Sequence, residues 1–440
     1  MMSKDLTIQF REALYAFRGG FLLRPFAIAI TLGLTGLALS TLEARRPQLS
    51  ALAPRLLFPS GIDPQLAQTL LSDIATSIMT VVSIVFAILL MTLTLASTQF
   101  SPRILVSFVR DRVTQWTLGM FLGTFSYCIA VLPAAVERPV PALAVAGSMV
   151  LATVCIGWLI YFIQHISNAI SVNNIVDRIR KETESIIDEM MPHRRTSPPL
   201  APQEAAHHAP LDFEIASRQS GYIRFVDVGR LLSLAKTHGI CLRLERRTGH
   251  FVPEGVVLMR TSHGERVSDE LKLMLLGAVD IGPTRSMQQD VEFGIVQIVD
   301  IALRAMSPAV NDPTTAISCV DQLTSILIRW LSRSPPQSFL YAPPHVLRII
   351  ILQPHIDGLL DLAFEQIRHY ASADAAVSLR LMRAFCDIAG ATADPEIQRR
   401  LRERGLRLFA GCRDRLHEDD LARLHQRLIL LDESLAAHPA

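Results

Sequence analysis

The chain has 440 residues, half of them apolar, with a mean hydropathy of +0.31, 19% charged residues and a formal net charge of +2. Only 18 of its 84 charged residues lie in positions 1–164, so the first part has the composition of a membrane domain and the remainder that of an ordinary soluble one. With near-neutral charge and no long basic run, these figures exclude a disulfide-rich secreted scaffold, a disordered tail and a nucleic-acid binder.

Four stretches carry no charge: Pro25 to Leu42, Ile74 to Thr98, Thr117 to Val136 and Val140 to Gln164. Each is close to the roughly 17–25 residues that cross a bilayer as a helix. Lys4, Arg11, Arg18 and Arg24 precede the first. That basic region is too long for a signal peptide and no Ala-x-Ala site ends the run, so the stretch is expected to be retained. Lys and Arg on the side of the N-terminus number ten, from Lys4 to Lys181, against Arg45, Arg46, Arg55 and Arg138 on the other. This asymmetry predicts a multi-pass protein of the bacterial inner membrane with both termini in the cytoplasm. Six cysteines without a CxxC pair fit a reducing compartment.

The second span is the most informative. Stepping three then four residues from Asp73, one face reads Asp73, Thr76, Thr80, Ser83, Ala87, Leu90, Thr94 and Ser97, and the rest is mostly Ile, Val, Leu, Met and Phe. A polar stripe over most of the bilayer depth predicts either a hydroxyl-lined aqueous path, with the Asp73 carboxylate drawing cations to its outer mouth, or a surface for close helix packing. In the third span Gly119 and Gly123 stand at GxxxG spacing and predict a packing face. Trp158, Tyr161 and Phe162 near the end of the fourth form an aromatic belt. Between the second and third spans, Ser101-Pro102 opens a short amphipathic stretch whose Arg103, Arg110 and Arg112 suit anionic headgroups.

Beyond the fourth span, Val172, Val176, Ile179, Thr183, Ile186 and Met190 repeat at helical spacing, which predicts a contact with a partner helix or another subunit. Positions 192–210 form a Pro-rich linker. Its His193, His207 and His208 lack zinc-ligand spacing. From Gly221 to Arg260 the period shortens to two, predicting a small β-rich module with an inserted helix over Val228 to Lys236. The GHFVPEGVVL run resembles a hairpin of lipoyl-like barrels, but no lysine lies between Lys236 and Lys272, so no covalent cofactor is expected. From Ser268 the pattern is helical again, with loops near Ser334 to Pro344 and Thr392 to Pro395. Asp312-Pro313 reads as an N-cap and first helical residue, and Asn311 with Asp312 as an alternative polar site.

These readings combine into an α-helical integral membrane protein with four transmembrane helices and a mainly α cytoplasmic C-terminal region containing a small β module. The expected divisions are 1–24, a cytoplasmic segment; 25–164, the membrane domain; 165–191, a helix extension; 192–210, the linker; 211–265, the β module; and 266–440, a helical domain. Phosphate loops, dinucleotide fingerprints, HExxH, GxSxG and paired CxxC motifs are missing, so neither an enzyme, a cofactor nor a bound metal is expected.

Met79 to Leu105 and Val291 to Leu323, with the SGYIRFVD segment between them, make the chain resemble the bacterial membrane-protein family called domain of unknown function 2254. The matching residues are Ser97, Gln99, Phe100, Pro102 and Arg103, then Ser307, Pro308, Asn311, Asp312 and Pro313. The resemblance implies no catalytic assignment; it marks Gln99, Arg103, Asn311 and Asp312 as a family-signature polar site. The layout is also similar to that of small-conductance mechanosensitive channels. The expected function is an oligomeric, ion channel-like protein with a cytoplasmic vestibule or gate. The expected partners are the lipid bilayer, further copies of the chain and ions, with no nucleic acid. The alternative is a membrane-anchored sensor or scaffold whose cytoplasmic domain binds a ligand or partner.

Overall fold

A computed structural model describes residues 23–46, 48, 63–99, 111–136, 140–191, 210–343 and 346–436. It is mostly helical and divides between Ser171 and Val172 into two compact units.

The first unit contains α1 (Leu23–Arg45), α2 (Pro64–Gln99), α3 (Arg112–Val131), continued by a 3-10 turn over Leu132–Ala135, and α4 (Ala142–Ile170). All four are long and apolar enough to cross a membrane. Phe26, Ile30, Leu34, Ile156, Ile160 and Ile163 remain exposed on α1 and α4, as lipid-facing side chains would be. The helices pack where small residues let backbones approach. A Cβ at Gly119 would lie 2.6 Å from Ile28 Cδ1, and one at Gly123 would lie 2.4 Å from Leu32 Cδ1, so the GxxxG face of α3 is filled by α1. On α1, Gly36 returns the approach towards Tyr127. The Tyr127 hydroxyl donates to the Ala144 carbonyl at 3.0 Å, under Gly147 of α4.

The second unit begins with α5 (Val172–Met190). Of the two expected contacts, a partner helix or another subunit, the structure shows the first, within the same unit. Val176, Ile179, Thr183 and Ile186 are buried against α8 (Val291–Ala305) and α9 (Pro313–Leu331) of the same unit. Gly294 on α8 allows this, since a Cβ there would sit 2.0 Å from Thr183 Oγ1. The polar side of α5 is tied to α9: Asp188 accepts from Arg329 and Arg333, and the Ser325 hydroxyl donates to Glu184 at 2.7 Å. The two guanidiniums hold the Asp188 carboxyl below its ordinary range.

Two sheets share one core. The order β1-β5-β3-β8-β7 uses Phe213–Ala216, Val257–Thr261, Leu242–Leu244, Val346–Ile350 and Phe339–Ala342; all its pairs are antiparallel except β3 with β8. The order β4-β2-β6 uses Phe251–Val252, Gly221–Val226 and Val279–Gly282. Ile215, Ile223, Leu242, Leu244, Val252, Leu258 and Met259 interlock with Leu231 of α6 (Val228–His238) and with Leu271 and Leu275 of α7 (Asp269–Leu276).

The expected module over 211–265 is therefore too short. β6, β7 and β8 lie outside it, and the stretch near Ser334 to Pro344 read as a loop contains β7. β7 and β8 pair with each other as an antiparallel hairpin, and the parallel pairing of β8 with β3, about a hundred residues earlier, joins that hairpin to the sheet, which no local pattern shows. Nor is GHFVPEGVVL a hairpin: β4 pairs with β2 while β5 pairs with β1 and β3, in different sheets. The linker over 192–209 and its histidines lie outside the described residues.

The C-terminal helices α10 (Ile356–Ala371), α11 (Ala375–Gly390), α12 (Pro395–Cys412) and α13 (Glu418–Ala436) complete the unit around Phe364, Phe385, Leu401, Leu408 and Leu431. Asp374 and Asp394 cap α11 and α12 with their side chains.

Candidate functional site

On α2, Ala67, Leu71, Ala75, Ile78, Val82 and Val85 are buried and face the other helices of the first unit. The predicted stripe lies on the opposite side: Asp73, Thr76, Thr80, Ser83, Ala87, Leu90 and Thr94 are all exposed. Packing within the unit thus uses none of them. The reason is geometric: both sets repeat every three to four residues, about half a turn apart. The hydroxyls of Thr80, Ser83 and Thr94 donate to the carbonyls of Thr76, Met79 and Leu90, four residues back, at 2.9–3.0 Å. Each donor is satisfied by its own helix, which leaves the oxygen lone pairs of Thr80 and Ser83 available on the outer face. The side chains of Ser97 and Gln99, and the whole of Arg103 and the amphipathic stretch before Asp111, lie outside the described residues.

The other half of the family-signature set is a helix start. Asp312 caps α9, accepting from Thr315 N at 3.1 Å and Thr315 Oγ1 at 2.6 Å, with Pro313 in the first turn. These bonds hold its carboxyl below the ordinary range. Asn311 precedes it with φ +47°, the left-handed region that Asn tolerates better than most residues. Its amide donates to the Ser307 carbonyl and that of Asp312 to Ala305, closing the turn between α8 and α9. The pair therefore shapes this turn.

Two polar features escaped the sequence reading. Glu43, at the end of α1, is 1% exposed and accepts from Leu143 N at 2.8 Å and Ala144 N at 3.1 Å. Helix α4 begins after Pro141, which has no capping side chain, so α1 supplies the acceptors its first turn lacks. A lone carboxylate between an apolar run and Arg45-Arg46 was the available signal, but nothing local connects it to position 143.

The second feature is at the start of α8. Asp290 caps the helix through Phe293 N at 3.0 Å and takes two bonds of 2.8 Å from Arg285, whose guanidinium lies 5.1 Å from the Phe293 ring centre. Gly249, at φ +87°, comes so close that a Cβ would lie 2.2 Å from Asp290 Oδ2. Arg247 pairs with Glu292 beside it. Burial, then Arg247, pushes the neighbouring His250 imidazole below its ordinary pKa. This cluster joins the β4-β2-β6 region to α8. Among the described residues no group of three His, Cys, Asp or Glu side chains is placed to hold a metal ion.

The family model described as Predicted membrane protein (DUF2254) matches residues 18–387. An uncharacterized protein of Mycobacterium bovis and another of Mycobacterium tuberculosis are each 32% identical to the chain over 403 residues, covering 88% of it and 75% of the mycobacterial protein. No solved structure matches.

Proposed function

The chain belongs to this family of predicted membrane proteins, and from that premise we propose that it is an oligomeric, ion channel-like protein in which the outer face of α2 borders an aqueous path. The observation that carries the reading is the exposure of the stripe from Asp73 to Thr94 on the side of α2 opposite its packing face. An ionised carboxylate at the end of a span needs water or a partner around it, and a row of hydroxyl oxygens can replace part of a cation's hydration without holding it tightly. Further copies of the chain, each turning α2 to a common axis, meet both demands. Asp73 then lies at the outer mouth, and the second unit forms a cytoplasmic vestibule or gate. No catalytic step belongs to this reading.

Cysteine substitutions test it in a background free of Cys128 and Cys155. Thr76, Thr80, Ser83 and Thr94 positions should react with a small water-soluble thiol reagent in membranes, and Ile84 and Ile88 positions should not. Equal protection of all six would overturn the aqueous path. Asp73→Asn should lower cation over anion preference in a planar bilayer.

The topology in this reading has both termini in the cytoplasm, from the ten-to-four basic asymmetry. A reporter active only in the periplasm, fused after Ala440, should be silent; activity there would reverse the orientation.

A further inference from the structure

At one end of α3 and α4 an open cavity of about 280 Å³ is lined by Arg112, Val113, Trp116, Trp158 and Tyr161. Its level is set by the chain itself: Arg112 stands just before the charge-free part of α3, and Tyr161 lies one turn before His165, where the apolar part of α4 ends. That is the depth at which phosphate headgroups give way to acyl chains.

The walls are held in place. The Trp158 indole N–H donates to Thr117 Oγ1 at 2.9 Å, Tyr161 meets Trp158 edge-on at 5.7 Å, and Tyr161 stacks on His165 at 6.3 Å. His165 is anchored in turn to Asp111, the cap of α3, at 3.1 Å. The Asp111 carboxylate is thus occupied by His165 and by the amide and hydroxyl of Thr114. Arg112 is exposed and has no ion pair among the described residues.

From this arrangement we infer that the cavity is a binding site for an anionic phospholipid, with its phosphate on Arg112 and the upper part of an acyl chain against Trp116, Trp158 and Tyr161. The cationic side chain decides between headgroups. Aromatic walls alone would also suit a choline ammonium, but a guanidinium on the rim repels that cation and attracts a net negative headgroup. The site does not depend on α2 lining a path.

Two of the protein's three tryptophans line the cavity, and the third, Trp330, is buried in the second unit. Fluorescence quenching by lipids brominated on their acyl chains therefore reads the site in the full-length protein. In phosphatidylcholine vesicles, brominated phosphatidylglycerol should occupy the site about fivefold more than brominated phosphatidylcholine at equal mole fraction, the ratio given by the ~1 kcal/mol of one basic residue at an anionic surface. Arg112→Gln should bring the ratio close to one, and Arg112→Lys should keep most of it. Equal quenching by the two lipids in the unaltered protein, or an Arg112→Gln protein that keeps the preference, would overturn the site. Inorganic phosphate at matched ionic strength should not abolish the preference; if it does, the ligand is the free anion and the lipid assignment fails.

Discussion

Glu43→Ala should lower the stability of the membrane unit by about 2–6 kcal/mol, because it leaves two amides of the first turn of α4 without acceptors, each at about 1–3 kcal/mol. The carboxylate is 1% exposed, so water cannot take its place without opening the contact between α1 and α4. Helix α4 has no substitute of its own, since Pro141 stands at its cap position. Its orphan amides and dipole favour an anion there. Glu43→Gln should fall between the two: its carbonyl can accept from Leu143 N, but its amide group turns a donor towards Ala144 N. Thermal melting of full-length protein in detergent measures the series. An alanine variant that melts with the unaltered protein would mean that α1 does not cap α4.

Asp290→Ala should cost the second unit about 3–5 kcal/mol, the penalty for removing one partner of a buried ion pair. Three things fail together: the cap of α8, the two bonds from Arg285, and the packing under Gly249. Asp290→Asn should cost less, because its side-chain carbonyl can still accept from Phe293 N. The pH dependence separates charge from shape. Burial pushes the Asp290 carboxyl up more strongly than Arg285 pulls it down, so the folded protein holds this proton more tightly than the unfolded chain does. Its contribution to stability is then fullest below the ordinary carboxylate range, about pH 4, and declines as pH rises through the raised value. The advantage of the unaltered protein over Asp290→Asn should accordingly shrink from pH 4 to pH 7 in denaturant unfolding followed at Trp330, with Trp116 and Trp158 replaced by Phe. An advantage that grows with pH would show that Arg285 dominates the carboxyl.

Both residues mark where reading the chain by itself stops. Charge-free length was enough to locate four apolar helices, because each must satisfy its backbone internally and needs no distant partner to be recognised. Three-to-four periodicity likewise separated the stripe of α2 from its apolar faces, and the Gly119 and Gly123 spacing marked a packing face. Asp312-Pro313 was legible as a helix start for the same reason: a cap acts over three residues.

Everything that depends on which segments meet was decided by the tertiary structure. The periodicity from Val172 to Met190 shows that α5 has an apolar side, but covering that side with another copy or with α8 and α9 satisfies the pattern equally well; Gly294, far along the chain, settles it in favour of its own unit. β8 and its hairpin partner β7 join the larger sheet because β3 offers β8 a parallel partner, and Glu43 accepts from the first turn of α4, whose cap position a hundred residues later is a proline. Burial and backbone pairing are properties of two surfaces brought together, and a single stretch of sequence carries only one of them.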